Sequence, residues 1–162
     1  MNPIAHVKGD CIQAAKQLAR DGAQVLIPHI TNNIGAWGSG FVTALSREWE
    51  GPEATYRSSE VGTSLGKICY WGQGGIIVVN MCAQNGIMSH STGDRSQVNN
   101  KPIRYAALVE CMNAIKMHFG EHRTICAPKF GSDRAGGNWD FIEELIDEIW
   151  VPHFYEVIIC SL

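Results

Sequence analysis

The residues best placed to do chemistry fall in one short run. His29 closes the apolar stretch Val25-Leu26-Ile27-Pro28-His29-Ile30, and Asn32 and Asn33 follow it at once. It is the only titratable group in the run before the next helix. With an ordinary pKa of about 6.5, an imidazole there would accept or donate a proton at neutral pH. A buried histidine with a satisfied ring is the competing explanation of such a position. Downstream stand Gly35, Trp37, Gly38, Ser39 and Gly40, then Phe41, Leu45 and Trp49 at helical spacing. Strand, glycine-rich loop and helix in that order make an anion site. The first N–H groups of a helix lack internal partners, and glycine lets a ligand approach the backbone. The glycines lack the lysine of a P-loop and the spacing of the dinucleotide fingerprint. A second run, Gly131-Ser132-Asp133-Arg134-Ala135-Gly136-Gly137, repeats the arrangement after Thr124 to Ala127. Two such loops facing each other would wrap a diphosphate from both sides, and two plain chain connections are the alternative.

These loops need strands to carry them, and the pattern around them alternates strand with helix. Ile4 to Lys8 reads as a strand, and Cys11 to Leu18 as a helix with Asp10 as its N-cap. Pro52 opens a fresh helical turn. Ile68 to Trp71 and Ile76 to Asn80 read as a hairpin around Gly72 to Gly75. Met81 to Lys101 is polar and without period, which predicts a long surface loop. Pro102 is expected to open a helix whose apolar stripe is Tyr105, Leu108, Val109, Met112 and Ile115. A helix with Phe141, Ile142, Leu145, Ile146 and Ile149 and a strand over Tyr155 to Cys160 complete the chain. The alternation predicts one three-layer α/β domain spanning 1–162.

Composition narrows the function classes. The 162 residues are 45% hydrophobic and 18% charged, as in ordinary globular proteins, and the net charge of −3 supplies no field for nucleic acid. No stretch reaches membrane-span length, and the N-terminus has no signal-type segment. Six cysteines are scattered without a CxxC pair, so free buried thiols in a reducing cytoplasm are expected, Cys82 among them. His118 and His122 are four apart, but Gly120 lies between them and no third ligand is evident, so a solvated helix end is expected. No metal set emerges. Trp37, an aromatic inside a glycine loop, must either pack over the loop or cover a ligand.

Taken together, Gly9-Asp10, HITNNIGAWGSGF, IIVVNMCAQNG, KPIRYAAL and PKFGSDRAGGNW, in this order and spacing, resemble a macro domain over nearly the whole chain. The resemblance implies an α/β/α sandwich with a mixed, roughly six-stranded sheet and a cleft that binds ADP-ribose or a derivative. It implies that Asp10, with Cys11 beside it, meets the adenine. Asn32 and Asn33 would sit by the distal ribose. Trp37, Gly38, Ser39, Gly40 and Phe41 would surround that ribose and the diphosphate, and Gly131, Ser132, Asp133, Arg134, Ala135, Gly136 and Gly137 would close over the diphosphate. Within the family the chain looks most like the yeast-type ADP-ribose-1″-phosphate phosphatases and their bacterial and phage relatives. There His29 falls on the catalytic histidine, with Asn32 orienting the ribose. Phe41-Val42 replace the acid of the protein-ADP-ribose hydrolases, and Ala135 replaces the aspartate of the deglycosylating branch. Asp133 is acidic but offset. The reading that follows is hydrolysis of ADP-ribose-1″-phosphate by a cytoplasmic monomer, with no cofactor and no nucleic-acid or membrane partner. The alternatives are a reader that holds ADP-ribose or an ADP-ribosylated protein without turnover, and a cleft for another ADP-ribose derivative.

Overall fold

Eleven elements are built by residues 2–88 and 101–162, the residues described by the computed structural model. They are β1 (Ala5–Lys8), α1 (Cys11–Arg20), β2 (Val25–Asn32), α2 (Phe41–Glu48), α3 (Gly51–Ser58), β3 (Ile68–Gln73), β4 (Ile76–Gln84), α4 (Tyr105–His118), β5 (Thr124–Pro128), α5 (Trp139–Ile149) and β6 (Glu156–Ser161). The strands form one six-stranded sheet in the order β1-β6-β5-β2-β4-β3. All neighbours are parallel except β3 and β4. That antiparallel pair is the expected hairpin, turned by Gly74 and Gly75 at φ of 57° and 84°, a region open to glycine at little steric cost.

Alternation along the inner strands feeds two cores. Leu26, Val79, Met81, Ile125 and Val157 pack with Leu108, Met112 and Ile115 of α4 and Ile142 and Ile146 of α5. Val25, Ile27, Val78, Cys126 and Ile158 face the other way, against Ile12 and Ala15 of α1, Leu45 of α2 and Tyr56 of α3. Helices therefore cover both faces, which is the three-layer arrangement.

Two expectations are corrected. Met81 to Gln84 belongs to β4 and is not loop, because Met81, Cys82 and Ala83 are buried and their backbone continues the sheet. Residues 89–100 of the expected surface loop lie outside the described residues. The helix expected from Pro102 begins at Tyr105, since Ile103 and Arg104 stay extended. The Ile103 N–H donates to Ala135 O at 3.0 Å and the Arg104 N–H to Ala83 O at 2.8 Å. Those bonds tie the second glycine loop to the end of β4.

The sheet opens where the site lies. β2 and β5 are ladder partners only at Val25–Thr124 and Leu26–Ile125. Pro28 follows on β2 and has no N–H to donate, so it cannot extend the ladder. Beyond it the two strands run into the two glycine loops. In open α/β sheets, ligands sit in such a gap at the carboxyl ends of the strands.

Candidate active site: a cleft between two glycine loops

A cleft of about 540 Å³ occupies this gap. Its walls include His29 and Ile30 from β2, Ser39 to Val42 at the start of α2, Lys129 to Ala135 from the second loop, and Cys160 to Leu162 after β6. The volume lies within the range of small-molecule sites. Among the side chains that line it, Arg47, Lys129 and Arg134 stand against one carboxylate, Asp133, a balance that favours an anion.

The two loops differ in how they present the backbone. Gly40 is the N-cap of α2 with φ 82° and contributes no side-chain cap; the Thr43 N–H donates to Gly40 O at 3.1 Å, which leaves the Phe41 and Val42 N–H groups at the cleft wall. At the start of α5 Asn138 Oδ1 accepts from the Phe141 N–H at 3.3 Å, and Asn138, Trp139 and Asp140 do not line the cleft. Of the two helix starts, that of α2 is the one at the cleft wall. The second loop instead folds on itself. Gly137 N–H donates to Gly131 O at 2.7 Å, and a Cβ on Gly137 would lie 2.4 Å from that same oxygen. Gly136 and Gly137 thus brace the loop, while Gly131 to Ala135 form the wall. Arg134 Nη1 donates to Ser39 Oγ at 3.3 Å and joins the two loops across the opening.

Asn32 is occupied in shaping its loop. Its Oδ1 accepts from the Ile34 N–H (3.1 Å) and the Ala36 N–H (3.0 Å) and lies 3.1 Å from the Tyr56 hydroxyl oxygen, and its Nδ2 donates to Ala36 O (2.7 Å). It is buried and does not line the cleft; one amide hydrogen is all it has left for a ligand. Asn33 is likewise engaged, donating to Asn85 Oδ1 at 3.0 Å and accepting from the Gly86 N–H at 2.8 Å. Tyr56 completes the lock: its hydroxyl donates to Asn32 O at 2.6 Å and accepts from the Gly35 N–H at 3.1 Å. Burial pushes the Tyr56 phenol up to about 12, so it keeps its proton. Trp37 packs over the loop and does not line the cleft. It is buried, donates from Nε1 to Ser46 Oγ at 2.8 Å, and meets the His29 ring edge-on at 5.7 Å. Gly38 is exposed and outside the wall.

His29 is 1% exposed, behind Phe41 and Trp37. Register places it beside Asn80 on β4, and Nε2 lies 2.5 Å from Asn80 Oδ1. Asn80 Nδ2 donates to Pro52 O at 3.1 Å, which orients the amide and makes His29 Nε2 the donor. Nδ1 is then a lone-pair acceptor, buried and without a partner among the described residues. Burial lowers the ring's pKa from 6.5 to about 4, against the opposing pull of Asn80. Burial thus favours the neutral imidazole, with Nε2 donating to Asn80 and Nδ1 left as an acceptor.

Asp10 caps α1, its Oδ1 accepting from the Gln13 N–H at 3.0 Å, and its second oxygen is exposed. It stands just past the Cys160 to Leu162 end of the cleft, where the Gly9 N–H donates to Ser161 O at 2.7 Å. Cys11 is buried beneath it. The His118 and His122 rings go apart, to the Tyr70 hydroxyl and to Gln24. Arg47, Lys129, Tyr56 and Asn80 escaped the sequence reading. Only Arg47 left a local signal, six residues beyond Phe41 with Ala44 between, on one helix face. Among the described residues no helix is long and apolar enough to cross a membrane.

No protein-family model matches the chain, and no curated protein does. Solved structures do match. A protein of unknown function from Bacteroides thetaiotaomicron is 31% identical over 98% of each chain, with a TM-score of 0.81. A macrodomain protein from Streptomyces coelicolor is 26% identical over 98% of this chain and 99% of its own, at 0.74. Thermosipho africanus DarTG in complex with ADP-ribose covers all of this chain with 42% of its own, at 11% identity and 0.69, a likeness of fold. The chain has the macrodomain fold. It belongs to one family with the Bacteroides thetaiotaomicron protein.

Proposed function

We propose that the cleft binds ADP-ribose and that it hydrolyses the terminal phosphate of ADP-ribose-1″-phosphate. The observation that carries the binding is the pairing of a free helix N-terminus at Gly40–Val42 with three cationic side chains around one cleft. A diphosphate there would accept N–H bonds from both loops, each charge-assisted bond contributing about 1.5–3 kcal/mol. A protein of the same fold holds ADP-ribose. The adenine would extend toward Asp10 and the distal ribose toward the end of β2. In the hydrolytic step, water attacks phosphorus, the bond from phosphorus to the ribose oxygen breaks, and that oxygen takes a proton from solvent. The unpaired Nδ1 of His29 takes the proton of that water, and the loop N–H groups stabilise charge on the phosphoryl oxygens. Asn32 acts by holding the loop.

A second reading is supported by the burial of His29 and the absence of an acid at Phe41-Val42: a reader that holds ADP-ribose, or an ADP-ribosylated partner, without turnover. Calorimetry with ADP-ribose tests the binding, and no saturation up to millimolar concentration would sink it. Phosphate release from ADP-ribose-1″-phosphate, measured on wild type and His29→Ala in the same preparation, separates the readings. Release that drops about 10²–10⁴-fold while ADP-ribose still binds supports hydrolysis with His29 as base. No release from the wild type leaves the reader.

A further inference from the structure

Three cysteines that are far apart in sequence meet at one end of the cleft. Cys11 opens α1, Cys126 lies in β5 and Cys160 in β6, all buried, with their sulfurs mutually within 4.8 Å. The Cys126 and Cys160 sulfurs are 3.8 Å apart. All six cysteines are free, and among the described residues Cys69, Cys82 and Cys111 do not join such a group. We propose that Cys11, Cys126 and Cys160 form a binding site for a soft d¹⁰ cation, Zn²⁺ or Cu⁺.

Geometry supports a metal over a Cys126–Cys160 disulfide. Metal–sulfur bonds of about 2.3 Å at tetrahedral angles separate sulfurs by about 3.8 Å, the spacing already present between two of the three. Cys126 pairs with Ile158 and Cys160 with Pro128, an offset of two residues on neighbouring strands. At about 3.3 Å per residue and 4.8 Å between strands, their Cα atoms stand about 8 Å apart. A disulfide spans less than about 7 Å.

Access agrees with this. Cys160 lines the cleft, which supplies a way in. Binding replaces thiol protons by the cation and releases them to solvent. Three thiolates complete a trigonal Cu⁺ site. With Zn²⁺ they leave a fourth position, which water or a ligand atom in the cleft would fill.

The test is a titration of the reduced full chain with Zn²⁺ and, separately, with Cu⁺ against chromophoric chelators. Near-ultraviolet thiolate-to-copper absorption is followed in the second arm. One ion per chain is expected, with a rise in melting temperature. Cys126→Ser should lose that stoichiometry and Cys111→Ser, a buried thiol elsewhere, should keep it. Should Cys126→Ser fail to fold by circular dichroism, Cys160→Ser at the cleft wall reads the same loss. Absence of saturable binding of both ions to the wild type overturns the site. So does 1:1 binding that survives in folded Cys126→Ser or Cys160→Ser. Binding in only one arm identifies the ion.

Discussion

Replacing Asn32 by alanine separates two roles for an amide that sequence places beside a ribose and structure places inside a loop. The substitution deletes three hydrogen bonds: two N–H groups lose Oδ1, and Ala36 O loses Nδ2. At about 0.5–1.5 kcal/mol net per bond the sum would be about 1.5–4.5 kcal/mol. A value below the top of that range is expected. The Tyr56 hydroxyl keeps its shorter bond to Asn32 O, and Ile34 is exposed enough for water to serve its N–H. A loss of about 2–3 kcal/mol in a chain of this size lowers the melting temperature by about 4–12 °C. Urea unfolding gives the free energy, and calorimetry on the same sample gives the ADP-ribose affinity. Both should fall, because the freed loop no longer presents the N–H groups of α2. A variant that melts within about 1 °C of wild type and yet has lost ADP-ribose would refute the reasoning. That result would make the side chain a ligand contact.

Two further outcomes are expected. With its pKa lowered from 6.5 to about 4, neutral His29 stabilises the fold above pH 6.5, and that contribution is lost as pH falls from 6.5 through 4. Unfolding free energies of wild type and His29→Gln, which keeps a donor for Asn80, should converge by about 3 kcal/mol between pH 7 and pH 4; parallel pH profiles would contradict the burial argument. Asp10→Ala should cost about 1 kcal/mol of stability through the lost cap of α1. If the carboxylate also receives the adenine amino group, ADP-ribose weakens at least tenfold while ribose-5-phosphate is unaffected; equal affinities for both would leave Asp10 as a cap alone.

The fold was legible because its signals are local. An apolar run, a glycine loop and a helical period each announce themselves within a dozen residues, and the chain carries that succession twice. The cleft followed from their order, and the loop residues Ser39 to Phe41 and Gly131 to Ala135 do line it. Illegible were the partners that arrive from elsewhere. Asn80 reaches His29 through the β2–β4 register, and Tyr56 reaches Asn32 from α3. No spacing in the sequence records these meetings, nor the burial that lowers the His29 pKa. The same applies to the thiols at 11, 126 and 160, whose proximity exists only once β5 and β6 are aligned. Arg47 was hidden differently, as one more charge on a helix whose cleft-facing side was not yet known.

Pro28 shows where such a cleft gets its tolerance for change. The gap between β2 and β5 opens after Leu26, where Pro28 has no backbone proton to offer the next ladder position. That part of its shape belongs to the main chain and is kept whatever side chains line it. Wall residues such as Ser39, Arg47 and Ser132 are free to drift toward other nucleotide-like molecules without closing the groove or unpicking the sheet. Restoring an amide at position 28 would return a donor to that edge of β2 and add one bond, about 1 kcal/mol, in favour of a longer ladder.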